Sequence, residues 1–131
     1  MSDSKIPKDL KYTNEHEWVR IEGALATVGL TDYAQQKLGD ITYVDMPEVG
    51  KQVEQAGEMC VVESVKAAAD VYAPLAGVVA EVNPALEDEP ALVNRDCYGK
   101  GWLVKLNEFA AAGLDNLMDA AAYGDFLAQG E

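Results

Sequence analysis

The sequence has few of the residues that form disulfide bonds or metal sites. Two cysteines and one histidine occur among its 131 residues. Cys60 and Cys97 lie far apart, and His16 is not at a metal-ligand spacing from either, so we expect neither a zinc site nor a redox pair. The apolar run at residues 59–62 predicts a buried Cys60 that acts as a small hydrophobic side chain. Cys97 is predicted to lie in a loop.

Long hydrophobic runs are also missing. No stretch approaches about eighteen consecutive apolar residues, the minimum for a membrane-spanning helix. Met1 to Lys5 is not followed by the apolar segment of a secretory signal, and no basic leader is visible. We therefore expect a cytoplasmic protein of bacterial type rather than a processed organellar one.

Positive charge is scarce. The chain has 10 basic and 23 acidic residues, a formal net charge of −13. Nucleic acids and anionic membranes are bound through clustered lysine and arginine, which are absent, so both are excluded as partners and basic protein surfaces are favoured. A chain of this length, 49% hydrophobic, can bury one core. We expect a single domain over residues 1–131, present as a monomer.

Short β-rich segments separated by glycine and proline fill the chain between Tyr12 and Lys105. Their spacing is typical of a sandwich or flattened barrel, so the predicted fold class is mainly β. The core of this domain is expected over residues 10–105. The predicted strands are residues 18–21, 24–29, 41–46, 59–64, 67–72, 77–82 and 102–104.

Two regions are predicted to be helical. One short helix is expected at residues 31–39, where Thr31 or Asp32 can cap the free N–H groups and Gly39 can take a left-handed conformation at the end. After Lys105 the composition changes to Ala, Leu, Asp and Met, with apolar residues at helical spacing. This pattern predicts a C-terminal extension at residues 107–128 with one or two amphipathic helices that pack on the β core.

Lys66 is the one basic residue between Gln52 and Asn94, a segment with eight acidic residues. Strand-like segments on both sides predict a hairpin with Lys66 at or near its tip. Spacing alone favours an ordinary solvated lysine. The functional hypothesis is a modification site, because an amine on a long flexible stem is a natural attachment point for an acyl group.

The segment around Lys66 resembles the lipoyl-attachment segment of the glycine cleavage system H protein family. Ala69 stands where that family usually has Ser, and Cys97 where it often has Pro. Val65 and Ala67 flank the lysine, whereas biotin carrier domains have Met on both sides. The similarity extends over residues 10–128 and rests on ESVKAA at 63–68, DVYAP at 70–74, YTNEHEWV at 12–19, VGLTDYAQ at 28–35, LGDI at 38–41, PEVG at 47–50, EVN at 81–83, LVN at 92–94 and YGKGW at 98–102.

The resemblance implies a lipoyl-domain-like fold of two antiparallel sheets and a carrier that is not itself an enzyme. Lipoate would be in amide linkage to Lys66, within a context that a lipoate ligase or transferase recognises, formed by Glu63, Ser64, Val65 and Ala67. The implied function is to move the aminomethyl group of glycine from a pyridoxal-phosphate-dependent decarboxylase to a tetrahydrofolate-dependent aminomethyltransferase. Electrons would pass to dihydrolipoamide dehydrogenase.

The resemblance also implies a groove that protects the loaded lipoyl arm. Glu17 and Asp70 match the family positions whose carboxylates would contact the amine of the loaded arm. The alternative for Glu17 is a solvated strand residue. For Asp70 the alternative is local pairing near the turn, and both interpretations stay open.

Two other functions compete with the carrier. An enzyme could use His16, Glu17 and Cys60 as acid, base and nucleophile, but adjacent strand residues point to opposite faces and no oxyanion loop accompanies them. The chain could instead be an unmodified interaction protein, or a lipoyl donor, that keeps the same fold. The intact Lys66 and its flanking strands weigh against an unmodified protein.

Overall fold

The computed structural model describes residues 5–129 of the chain. No helix in this range is long and apolar enough to cross a membrane. The strands are β1 (Lys11–Tyr12), β2 (Glu17–Glu22), β3 (Leu25–Leu30), β4 (Ile41–Asp45), β5 (Gln52–Val53), β6 (Glu58–Ser64), β7 (Ala68–Tyr72), β8 (Gly77–Val82) and β9 (Val104–Asn107). The helices are α1 (Asp32–Leu38), α2 (Ala85–Asp88), α3 (Leu92–Arg95), a 3₁₀ helix (Ala111–Asn116) and α4 (Ala120–Ala128).

The strands form two antiparallel sheets that do not close into a barrel. One has six strands in the order β1-β2-β3-β9-β8-β5, and the other has three in the order β4-β6-β7. Apolar side chains of both sheets meet in one core, including Val28 and Leu106 from the large sheet and Val62 and Val71 from the small one. The predicted fold class, mainly β with two antiparallel sheets, is confirmed.

Helix α1 has the predicted ends. The Thr31 side chain accepts a hydrogen bond from the N–H of Ala34 at 3.2 Å, and Asp32 begins the helix. Gly39 has a φ of 79°, and its N–H donates to the carbonyl of Gln35 at 3.0 Å. A side chain with a Cβ is strained at this φ, which explains glycine there.

Helix α4 packs against the large sheet, as predicted for the C-terminal segment. The ring of Tyr123 stacks on that of Tyr12 with centroids 4.6 Å apart. The Tyr123 hydroxyl lies 2.8 Å from His16 Nδ1 and 2.8 Å from Thr31 Oγ1. These contacts join α4 to the segment before β2 and to the start of α1.

Several local predictions were wrong. The strand expected at 102–104 begins only at Val104 and continues to Asn107, because Trp102 and Leu103 belong to the preceding loop. The predicted C-terminal helices do not begin at 107; they are the 3₁₀ helix and α4. Four elements were not foreseen, because two-residue strands show no alternation and single helical turns show no periodicity: β1, β5, α2 and α3.

Candidate functional site

The β6–β7 hairpin carries Lys66 at its tip. Strand pairing ends at Glu63 and Ala68. The Ser64 N–H donates to the carbonyl of Ala67 at 2.8 Å, and Ser64 Oγ accepts hydrogen bonds from the N–H groups of Lys66 and Ala67, each at 3.2 Å. The Val65 N–H donates to the carbonyl of Asp40 at 3.0 Å. The turn is therefore held from inside the hairpin and from the loop before β4.

The Lys66 amine is accessible. The residue is exposed, and its side chain passes the backbone of Gly39. Nζ donates to the carbonyl of Lys37 at 3.5 Å, a long hydrogen bond. Within residues 5–129 no carboxylate forms an ion pair with Lys66. An exposed primary amine without a carboxylate partner fits an acyl group bound through an amide.

Glu17 is buried at the beginning of β2, with 1% of its surface exposed. Its Oε1 accepts a hydrogen bond from the Thr13 hydroxyl at 2.6 Å, and its Oε2 accepts one from the N–H of Tyr72 at 3.0 Å. Burial raises the pKa of the Glu17 carboxyl to about 7, although both hydrogen bonds favour the charged form. Glu17 is thus not the solvated strand residue of the alternative interpretation.

Glu17 is one of the residues that line a groove of about 720 Å³. Its walls come from four separate parts of the chain: the segment before β2, the turn before β6, the end of β7, and the C-terminal region. They combine polar groups with apolar side chains. The lining residues are Tyr12, Thr13, Asn14, Glu15, Glu17, Gln55, Ala56, Tyr72, Ala73, Pro74, Asn116, Leu117, Met118 and Phe126.

Asp70 does not line this groove. It is exposed on β7, opposite Val61 and two residues before Tyr72. Its negative charge is the largest cause that raises the pKa of the Tyr72 hydroxyl. The structure thus places Asp70 beside the groove and Glu17 within it, and the role of each residue remains a prediction.

The residues of the alternative enzyme hypothesis do not form a catalytic group. His16 Nδ1 contacts the Tyr123 hydroxyl, and the Glu17 carboxylate bonds to Thr13 and Tyr72. Cys60 is buried as predicted, and burial raises the pKa of its thiol to about 12. A thiol held neutral in this way is a poor nucleophile.

Cys97 lies in a loop, as predicted, but it is also buried. Its carbonyl accepts a hydrogen bond from Trp18 Nε1 at 3.0 Å. Burial raises the pKa of its thiol to about 12. The residue is therefore part of the packing around Trp18.

Sequence reasoning missed Thr13 and the C-terminal wall of the groove. Thr13 stands four residues before Glu17, a spacing with no meaning until the loop between them folds back. Phe126 is one of the apolar residues at helical spacing after Lys105, and that pattern indicates only an amphipathic helix. No local signal could have shown that Asn116 bonds to Gln55 or that Met118 pairs with Tyr12.

Comparison with known proteins gives one consistent family. The model of the glycine cleavage H-protein family matches residues 10–130. The glycine cleavage system H protein of Symbiobacterium thermophilum is 50% identical over 127 residues, covering 97% of this chain and 99% of that protein. The one from Xanthobacter autotrophicus is 56% identical over 118 residues, 90% of this chain and 94% of the relative.

A solved structure is similar as well. The crystal structure of a glycine cleavage system H protein from Mycobacterium marinum matches with a TM-score of 0.81 at 37% sequence identity. The match covers 95% of this chain and 98% of that one.

Proposed function

Because the chain belongs to the glycine cleavage H-protein family, we propose that its lipoyl group is bound in amide linkage to Lys66. The chain is a carrier component of the glycine cleavage system and not one of its enzymes. Lipoate, when bound, supplies a dithiolane that can receive an aminomethyl group and two electrons. The observation that carries the proposal is the exposed Lys66 amine on a turn held by Ser64.

The proposed partners are the pyridoxal-phosphate-dependent glycine decarboxylase, the tetrahydrofolate-dependent aminomethyltransferase and dihydrolipoamide dehydrogenase. The setting is proposed to be the bacterial cytoplasm. The contribution of this chain is to present one flexible arm from a rigid hairpin to each active site in turn. Such tethering raises the local concentration of the reacting group and makes each encounter effectively intramolecular.

We also propose that this groove shelters the loaded arm from water. Glu17 lines the groove, and in its charged form the carboxylate can accept a charge-assisted hydrogen bond from an amine. Asp70 beside Tyr72 adds negative charge at the rim. Apolar walls from Leu117, Met118 and Phe126 favour exclusion of water.

Lys66→Arg is expected to abolish lipoylation and carrier activity while the chain still folds. Arginine keeps the positive charge but cannot form the amide, and exposed substitutions change stability by about 0.5 kcal/mol or less. Intact-mass measurement after incubation with a lipoate ligase checks this, with Lys51→Arg as the matched control. Lipoylation that persists at Lys51 or Lys100 in Lys66→Arg would disprove the assignment. A wild-type chain that is never lipoylated would favour an unmodified interaction protein.

Glu17→Gln combined with Asp70→Asn is expected to shorten the lifetime of the loaded carrier, while the final extent of lipoylation stays complete. The double variant removes both carboxylates while changing the shape little. The measurement is release of ammonia from the loaded carrier in the absence of the aminomethyltransferase. A lifetime equal to that of the wild type would mean that these two residues have only structural roles.

A further inference from the structure

The outer face of the small sheet reaches the hairpin tip. Tyr43 of β4 pairs with Glu63 of β6, which pairs with Ala68 of β7. In the next row Asp45, Val61 and Asp70 pair in the same way. Residues directly opposite each other on antiparallel strands share one face. We call these six residues the outer sheet face; Val62 and Val71 point the other way, into the core.

This face is acidic. Asp45, Glu63 and Asp70 are exposed on it, and β4, β6 and β7 contain no lysine or arginine. Nothing within these three strands neutralises the carboxylates. A partner surface that covers the face therefore gains from positive charge.

An exposed apolar anchor lies within the acidic surroundings. Tyr43 has 54% of its surface exposed, and Val65, at the tip itself, has 66%. Among residues 5–129 the other large exposed hydrophobic side chains are Ile21 on β2 and Val49 in the loop after β4. Exposed tyrosine is a residue type that often supplies binding energy at protein interfaces.

The short distance between the outer sheet face and Lys66 indicates which class of enzyme binds this face. An enzyme that attaches an acyl group must bring the acyl carbonyl into bonding distance of Nζ. A standard interface of about 800 Å² per partner has a radius of roughly 16 Å. Glu63 is only three residues from Lys66, and Tyr43 is on the strand adjacent to Glu63. Tyr43 therefore falls within such an interface, whereas enzymes that act on the far end of the arm can dock at a distance.

We propose that the outer sheet face, with Tyr43 as its anchor, is the docking surface for the enzyme that acylates Lys66. This inference rests on the proposed function. The partner presents an apolar pocket for the Tyr43 ring and basic side chains around it. With an acyl adenylate as donor, the neutral Lys66 amine attacks the acyl carbonyl. The carbon–nitrogen bond forms, the carbon–oxygen bond to phosphate breaks, AMP leaves with the electron pair, and the amine proton passes to a base or to solvent.

The test measures kcat/KM for acylation of the full-length unlipoylated chain by a bacterial lipoate ligase with preformed lipoyl adenylate. Tyr43→Ser is expected to lower kcat/KM about tenfold, mostly through KM, while Tyr43→Phe keeps it near wild type. Val49→Ser is the control for loss of an exposed apolar side chain. Thermal unfolding at an unchanged midpoint shows that the variants are folded.

Charge is tested separately. Asp45→Lys is expected to lower kcat/KM about fivefold at low salt and less at high salt, because the effect is electrostatic. Glu87→Lys, an equal charge change on the exposed surface of α2, is expected to stay within about twofold. Equal effects of the two substitutions would show a general field rather than a docking surface, contrary to the inference.

The remaining outcomes separate this inference from the proposed function. Failure to acylate the wild-type chain at all would overturn both. Normal acylation of the wild type, with Tyr43→Ser no slower than Val49→Ser, would overturn the inference alone. The lipoylated Tyr43→Ser chain is expected to react with dihydrolipoamide dehydrogenase at the wild-type rate. An equal loss there would contradict the assignment to the acylating enzyme.

Discussion

At the scale of single residues, Glu17 shows two opposing effects on one carboxyl group. Thr13 Oγ1 accepts hydrogen bonds from the N–H groups of Glu15 and Glu17, so its own hydrogen is left to donate to Glu17 Oε1. This bond and the one from Tyr72 favour the carboxylate. Burial favours the neutral acid and is the stronger effect, which is why the pKa rises to about 7.

This raised pKa predicts a specific pH dependence of stability. Unfolded Glu17 ionises near pH 4.5, whereas the folded protein holds the proton to about pH 7. The folded state therefore binds more protons in this range, and its free energy of unfolding falls as pH rises from 4.5 to 7, by on the order of 3 kcal/mol from this group. Urea unfolding at several pH values measures it.

Glu17→Gln isolates the contribution, because all other titrating groups are retained. The amide cannot ionise, so the fall in stability between pH 4.5 and 7 is expected to be smaller by that amount. A carboxamide has only one oxygen and must turn its N–H₂ group toward one of the two donors, which makes the variant less stable than the wild type by about 1–3 kcal/mol at pH 4.5. This difference is expected to shrink as the pH rises to 7, because only the wild type loses stability there. Parallel pH profiles for the two proteins would contradict the raised pKa.

At the scale of elements, helix α4 is held by its own N-cap and by contacts with distant parts of the chain. Asp119 caps it by accepting from the N–H of Ala122 at 2.8 Å. Its packing rests on Tyr123, which stacks on Tyr12 and bonds to His16 and Thr31. Because Phe126 of the same helix lines the groove, the position of α4 determines one groove wall.

Tyr123→Phe is expected to lower the free energy of unfolding by about 1–2 kcal/mol. The ring stack remains, but the hydroxyl contacts to His16 and Thr31 are lost in a buried setting. Chemical denaturation measures the change. Tyr43→Phe, which removes an exposed hydroxyl, is the matched control and is expected to change stability by less than about 0.5 kcal/mol. Equal effects of the two substitutions would show that the Tyr123 hydroxyl adds no stability.

At the scale of the whole molecule, the charge of −13 produces a long-range field around a small chain. Such a field speeds encounter with basic surfaces and is screened beyond about 10 Å at 0.1 M salt. It acts on every partner, whereas the outer sheet face is proposed to act on one.

Association of the lipoylated chain with the glycine decarboxylase is expected to slow by about tenfold between low and high salt. Stopped-flow association rates at increasing sodium chloride measure this effect. Sucrose at equal osmolality is the control, because it does not screen charge. A rate independent of salt would mean that apolar contacts dominate docking and that the acidic excess serves solubility.

The sequence alone determined the features that depend on neighbouring residues. Alternating strands on either side of Lys66 predicted the hairpin, and Thr31 and Gly39 predicted both ends of α1. The motifs spread over residues 10–128, with the one around Lys66 among them, were sufficient to indicate the family. These predictions succeeded because strand alternation, helix capping and turn chemistry act over a few residues.

Only the tertiary structure decided the properties that need distant parts of the chain together. Glu17 is buried because the Thr13 loop and the end of β7 close over it, and its raised pKa follows from that burial. The groove exists because Asn116 and Phe126 reach the segment around Tyr12. Tyr43 joins the surface near Lys66 through its register with Glu63. Burial, register and shared walls are set by contacts between residues far apart in sequence, and local patterns do not encode them.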